Sequence, residues 1–352
     1  MDQAAVRVGL IGYGLAGAVF HARLVASTPG LELVSVVTGN PDRQAQARRE
    51  HPGVTVLGQA GELWQTAAEH DLVVLATTNS THLPLGLAAV QAGLAVVVDK
   101  PLALTAAEGR RLVTAARERG VLLTVFHNRR WDGDLRTLRR LLGDGALGRV
   151  HRFESRFERW RPTPRPGSWR ELERPEAGGG LLLDLGSHLV DQALLLFGPA
   201  RTVYAEVDRR RQGVEGDDDV FVALEHAGGV RSHLWASALA AQLGPRLRVL
   251  GDRAAYVKHG LDVQEDALRA GHRPTEPGWG REPRERWGWL GVDGELRQVE
   301  TEPGAYQSFY AGLAGALRTG GPPPVDPGDA VAVLGILDAA RQSAASGTTV
   351  RL

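Results

Sequence analysis

Residues 6–126 alternate short, unbroken apolar runs with stretches of helical periodicity. The runs lie at 6–11, 31–37, 72–77, 95–98 and 121–126 and are rich in Val, Leu and Ile. Helical patterns cover 16–27, 83–92 and 106–119, and another opens at Pro41-Asp42, where proline suits a first turn. Strands that are apolar at nearly every position are buried on both faces. The pattern predicts a doubly wound α/β domain over residues 1–125, built on a parallel sheet with helices on both sides.

Beyond residue 126 the grammar changes. A helix over 133–142 leads through Gly143-Asp144-Gly145 to a strand at 149–158, an Arg/Pro/Trp-rich loop at 159–175, and a helix at 181–197. Strands with alternating character follow at 202–209, 219–225, 230–236 and 246–250, with Gly228-Gly229 as a hairpin signal, before helices at 306–318 and 327–345. Residues 126–352 therefore read as an α+β domain with an open, mainly antiparallel sheet and helices on one face. No internal repeat is visible, and 269–286 is the stretch expected to be a mobile loop.

Composition narrows the function. The chain has 352 residues, 43% apolar and 23% charged, with Lys+Arg and Asp+Glu balanced at 41 each. No excess of positive charge is present to neutralise phosphates, which argues against nucleic acid as a partner. The absence of cysteine removes disulfides, thiolate metal sites and Cys nucleophiles together. Met1-Asp2-Gln3-Ala4-Ala5 lacks the basic region of a secretory leader, and no stretch approaches the roughly 20 apolar residues that span a bilayer. The expectation is a cytoplasmic protein with no membrane partner.

Gly12-Tyr13-Gly14-Leu15-Ala16-Gly17 follows the first strand and opens a helix. One glycine allows the tight turn, one lets backbone reach a pyrophosphate, one permits close helix packing, and the helix N-terminal amides face the anion. This is the dinucleotide-binding signature of a Rossmann domain, with Gly12, Gly14, Leu15, Ala16 and Gly17 at the cofactor. The second strand ends in Val37-Thr38-Gly39-Asn40, without the carboxylate that would bind the 2′-hydroxyl of NAD. Thr38 and Asn40 can donate to a 2′-phosphate and Arg43 can pair with it, so NADP is preferred over NAD; Arg43 can equally be a solvated helix residue.

Of the 41 cationic side chains, 39 are Arg; the lysines are Lys100 and Lys258. Lys100 stands in Val98-Asp99-Lys100-Pro101, at the carboxyl end of what counts as the fourth strand, where open α/β sheets bind ligands. Its compact ammonium does what a guanidinium fork cannot. Thr77-Thr78-Asn79-Ser80-Thr81-His82 closes the third strand with small polar side chains suited to the cofactor, although a helix cap is the favoured reading of His82 alone. In Asp184-Leu185-Gly186-Ser187-His188, with Asp191 beyond, helical spacing sets a carboxylate one turn to either side of the imidazole. Such a carboxylate would fix the ring for proton transfer; a buried capping pair and a His/Asp metal site are the rival readings.

The three motifs in series resemble the glucose-fructose oxidoreductase, inositol dehydrogenase and MocA (Gfo/Idh/MocA) family over essentially the whole chain. Phe126-His127-Asn128-Arg129-Arg130-Trp131-Asp132 and Trp169-Arg170 look like its NADP-dependent scyllo-inositol dehydrogenase branch. The resemblance implies catalytic Lys100, Asp184 and His188, with Asp99 where Glu is commoner, and no metal. It also implies homo-oligomers, dimers or tetramers, assembled through the open face of the second sheet. The expected reaction is reversible hydride transfer between NADP or NAD and a secondary alcohol of a polyol or sugar. His188 would take the hydroxyl proton, Lys100 would bind the same oxygen and Asp184 would orient the imidazole. Pro101 belongs to the cofactor set, and Asn128, Arg129 and Trp169 to the substrate set. Arg156, Arg159, Trp160, Arg161 and Arg165 suit either a polyhydroxylated ring or an oligomer contact. A family glycosidase that uses bound NAD and a silent dinucleotide-binding sensor are the alternatives.

Overall fold

The computed structural model describes residues 4–352; the first three, part of the segment inspected above for a leader, lie outside it. Six strands form a parallel sheet: β1 (Val6–Ile11), β2 (Leu31–Val37), β3 (Thr55–Leu57), β4 (Leu72–Leu75), β5 (Ala95–Asp99) and β6 (Leu123–Phe126), in the order β3-β2-β1-β4-β5-β6. The short edge strand β3 carries no long apolar run, so the count made from hydrophobic pattern alone missed it. The Asp99-Lys100 strand is consequently the fifth.

Apolar residues at every position of β4 serve two cores at once. Val73 and Leu75 join one cluster and Leu72 and Val74 the other, all fully buried. The first cluster also holds Leu112 of helix Ala106–Arg119 and Leu334 of helix Pro327–Ser346, and it continues without a break into the second half of the chain. The second contains Leu24 together with Phe309, Tyr310 and Leu313 from helix Gln307–Thr319. A helix near the end of the chain therefore covers one face of the first sheet, which ties the two halves together.

The second sheet has nine strands: β7 (Val150–Glu158), β8 (Ala200–Asp208), β9 (Asp219–His226), β10 (Arg231–Ser237), β11 (Leu247–Gly251), β12 (Ala255–Lys258), β13 (Gly288–Val292), β14 (Glu295–Val299) and β15 (Val350–Arg351). All pairs are antiparallel except β7 with β10. Alternation along β9 turns Val220, Val222 and Leu224 inward and leaves Phe221 half-exposed on the open face. Helices Ser187–Phe197 and Pro327–Ser346 pack against one another on the covered side, the latter along β8. Strands β12 to β15 were not foreseen, because short and half-exposed edge strands leave a weak periodic signal. Residues 270–283 form a loop. Among the described residues no helix is long and apolar enough to cross a membrane.

Candidate active site

β1 delivers the chain into the glycine loop. Gly12 adopts φ +96°, and a Cβ there would lie 2.3 Å from the Ala76 carbonyl oxygen. A Cβ on Gly17 would lie 1.9 Å from the Gly12 carbonyl oxygen, so the helix can seat this close to the turn only with glycine. In front of Gly14 the space is open, with the Arg43 guanidinium the nearest group, 3.7 Å from a Cβ placed there. Leu15 and Ala16 form the near wall of the central cleft. A cradle of free backbone, open on the ligand side and flanked by a cation, fits the pyrophosphate of a nicotinamide dinucleotide.

At the end of β2 the side chains are largely engaged locally. Asn40 caps helix Pro41–Glu50, its Oδ1 accepting from the Arg43 N–H at 3.0 Å, and the Thr38 hydroxyl accepts from the Asn40 N–H at 3.4 Å. The Arg43 side chain is exposed beside the loop. The segment after β4 is also inward-looking. Thr77 and Thr81 share a hydrogen bond of 2.6 Å, Thr78 precedes the turn, and the Asn79 amide donates to the Gly178 carbonyl at 2.9 Å across the interdomain boundary. His82 is fully buried, with Nδ1 2.8 Å from the Pro101 carbonyl; burial holds it neutral. Asn79 and His82 thus each commit one polar atom to a backbone carbonyl, His82 as the first residue of helix His82–Gln91, while among the described residues its Nε2 has no partner.

Lys100 and His188 arrive from opposite halves and line one cleft of about 520 Å³, together with Asp99, Asn128, Arg129 and Asp184. Asp99 fixes the backbone before the lysine, accepting from the Lys100 N–H at 2.9 Å. Burial would raise the Asp99 carboxyl, but His21, 3.8 Å away, and Lys100 outweigh it and keep it ionised. The Lys100–Pro101 peptide is cis.

The lysine, and not the histidine, is what Asp184 holds. Lys100 Nζ donates to the Asp184 carbonyl and, at 2.8 Å, to its Oδ1, which also accepts from Arg170 at 3.2 Å. Burial alone would raise the Asp184 carboxyl; Lys100 and Arg170 instead hold it well below the usual carboxylate range. Asp191 is likewise committed, to Arg130 at 2.6 Å. The expected carboxylate flanks of His188 are therefore absent. Residues Leu182–Gly186 wind with i→i+5 hydrogen bonds before the regular helix carrying His188 and Asp191 begins at Ser187, and both carboxylates are taken by cations from other elements.

His188 is 5% exposed, and among the described residues its ring makes no hydrogen bond. Burial, followed by the positive fields of Lys100 and Arg129, holds its pKa well below the ordinary value, so the ring is neutral and free to accept a proton. Arg129 stacks over Phe157 at 4.8 Å and binds Glu265 at 2.9 Å. Trp169 does not reach the cleft wall; Arg170, stacked on it at 4.5 Å, does. Asp217, on a loop, and Glu265, in the short helix Gln264–Arg269, also line the cleft and were not singled out from sequence, since neither lies in a motif or a long periodic stretch.

Comparison with known proteins places these features in context. The description "Oxidoreductase family, NAD-binding Rossmann fold" matches residues 6–127, and "Oxidoreductase family, C-terminal alpha/beta domain" matches residues 139–352, both of the Gfo/Idh/MocA group. The oxidoreductase YdgJ of Escherichia coli is 41% identical over 99% of both chains. The scyllo-inositol 2-dehydrogenase (NADP(+)) IolW of Bacillus subtilis is 35% identical over 99% of this chain and 96% of its own. The solved structure of the oxidoreductase YvaA of Bacillus subtilis superposes with a TM-score of 0.93 at 33% identity, covering 100% of this chain and 99% of that one.

Proposed function

This chain belongs to the Gfo/Idh/MocA oxidoreductase family, and on that premise we propose that it catalyses reversible hydride transfer between NADP and a secondary alcohol of a sugar or polyol. The observation that carries the reading is the meeting of Lys100 and His188 in one cleft whose near wall is the glycine loop. A nicotinamide cofactor, held by the Gly12–Gly17 turn, supplies the hydride acceptor. The chain's own groups manage the proton. Neutral His188 takes it from the hydroxyl, and the Lys100 ammonium stabilises the negative charge that grows on that oxygen. Asp184 aims the ammonium and leaves the imidazole unpaired, ready to receive the proton. Preference for NADP rests on the missing carboxylate after β2 and on Arg43 beside Gly14.

We further propose a cytoplasmic homo-oligomer joined through the open face of the second sheet. Tyr204, Phe221, Trp235 and His233 form a contiguous aromatic row there, with neighbouring ring centroids 6.5, 5.2 and 6.1 Å apart. A Trp235→Lys variant that still ran as an oligomer in size-exclusion chromatography would refute that assembly.

The deciding experiment for catalysis is a panel of inositols, aldoses and sugar acids, each assayed with NAD and NADP. Consumption of free cofactor by Lys100→Met should vanish while cofactor affinity stays nearly intact. Equal loss of both would mean a structural lysine, and product release without any net change in nicotinamide absorbance would mean a glycosidase.

A further inference from the structure

One wall of the cleft carries three guanidinium groups with nothing to bind. β7 continues past Glu158 as a short extension: the Arg159 N–H donates to the Ser237 carbonyl at 2.8 Å, the Arg161 N–H to the Ala238 carbonyl at 2.7 Å, and Trp160 pairs antiparallel with Leu239. Alternation along an extended chain sends residues 159 and 161 to one side and 160 to the other. Arg159 and Arg161 accordingly line the cleft, while Trp160 is 56% exposed. Arg165 joins them from the loop that follows.

Most other cations of the cleft are matched to carboxylates. Lys100 and Arg170 share Asp184, Arg129 and Arg269 share Glu265, and Arg211 binds Asp218 at 2.9 Å. Glu171, which also lines the cleft, already accepts from the Arg165 backbone N–H at 2.9 Å and lies 3.4 Å from Arg211. Among the described residues no hydrogen bond or ion pair reaches the side chain of Arg159, Arg161 or Arg165. The scaffold beneath is firm, because buried Arg211 donates to the Arg161 carbonyl at 3.0 Å.

Burial lowers the Arg159 pKa, and burial followed by Arg159 and Arg165 lowers that of Arg161. Arg159 also sits within the electrostatic reach of Asp184. The arginine wall thus begins beside the Lys100–Asp184 pair and runs outward along the cleft. Guanidinium forks in this arrangement bind carboxylate or phosphate oxygens in pairs.

We propose that Arg159, Arg161 and Arg165 form an anion subsite, so that the alcohol this enzyme oxidises bears a carboxylate or phosphate group, as in a sugar acid or sugar phosphate. The proposal rests on the dehydrogenase reading above and names the class of its substrate. The cofactor's own pyrophosphate is the other source of such an anion, and the test separates the two.

Calorimetric titration of enzyme saturated with NADP compares D-gluconate and D-glucose 6-phosphate with D-glucose and scyllo-inositol. At least one acidic ligand should bind tenfold or more tightly than either neutral one, and the gap should shrink as salt rises. In Arg159→Gln/Arg161→Gln the gap should close while NADP affinity moves less than threefold. Neutral ligands binding as tightly as acidic ones would overturn the subsite, as would a variant that loses NADP affinity and keeps the acidic preference. The salt series on the unmodified protein decides the matter if the variant does not fold. Turnover of neutral polyols without acidic preference would leave the dehydrogenase reading standing and remove only the subsite. Acidic preference without nicotinamide turnover would do the reverse.

Discussion

The carboxylate of Asp184 lies 2.8 Å from the ammonium of Lys100, a residue contributed by the other half of the chain, and leaves His188 on its own helix unpaired. The ion pair joins the two domains at the point where the chemistry is proposed to occur. It holds the ammonium in the cleft and leaves His188 a neutral imidazole in a positive field, as the proposed proton transfer requires. The division of labour has consequences that can be measured.

Asp184→Asn should lower kcat by about 10²–10³-fold, the range for losing one preorganised electrostatic contact. Because Asp184 does not bond to His188, the acid limb of the pH–rate profile should not move. A shift of that limb toward lower pH would restore the imidazole-orienting role.

The depressed pKa of His188 has a signed effect on stability. Between its folded value and the ordinary value of about 6.5, the unfolded chain binds a proton that the native state does not, so stability falls as pH drops through that window. His82 and His127 are depressed in the same direction by burial. Thermal melts at pH 7.5 and pH 5.5 should therefore show a lower Tm in acid, and the drop should be smaller in His188→Gln. For alcohol oxidation, kcat/KM should stay flat through about pH 6.5 and fall only below it.

Arg43→Gln tests the cofactor proposal. It should reduce kcat/KM for NADP at least tenfold and change that for NAD less than threefold. Equal effects on both cofactors would make Arg43 a solvated surface residue.

Lys258, the second surviving lysine, is 1% exposed and paired with Glu282 at 3.1 Å, outside the cleft. Lys258→Met leaves the buried Glu282 carboxylate with only Arg286, 3.8 Å away, and should cost about 3 kcal/mol in denaturant unfolding. Lys258→Met/Glu282→Leu should recover much of that loss, and NADP affinity should be unaffected in both.

Lys100 and His188 could be singled out from the sequence because each sits in a local signal: a rare lysine at the end of an apolar strand, and a histidine on a glycine-led helix. The glycine loop was legible for the same reason, since its geometry is set by a few contiguous residues. Asp184 was singled out for orienting the imidazole, whereas the structure pairs its carboxylate with Lys100 and Arg170, partners that helical spacing does not indicate. That Asn79 and His82 each bond a distant backbone carbonyl, of Gly178 and Pro101, is visible only in the packed structure. Trp169 was assigned to the substrate set, and the structure sets Arg170, stacked on it, along the cleft.

Hydrophobic pattern by itself determined the two classes of sheet and most strand and helix positions, and glycine spacing the turn that can hold a dinucleotide, because each depends on residues close together along the chain. Tertiary structure decided which charges meet. Asp184, Asp191 and Glu265 each take one partner from far along the chain, Lys100, Arg130 and Arg129, between 61 and 136 residues away, and the unmatched state of Arg159 and Arg161 depends on where every nearby acid is spent. Ion pairing over such separations is fixed by how the domains pack, and the linear sequence carries no periodic signal for it.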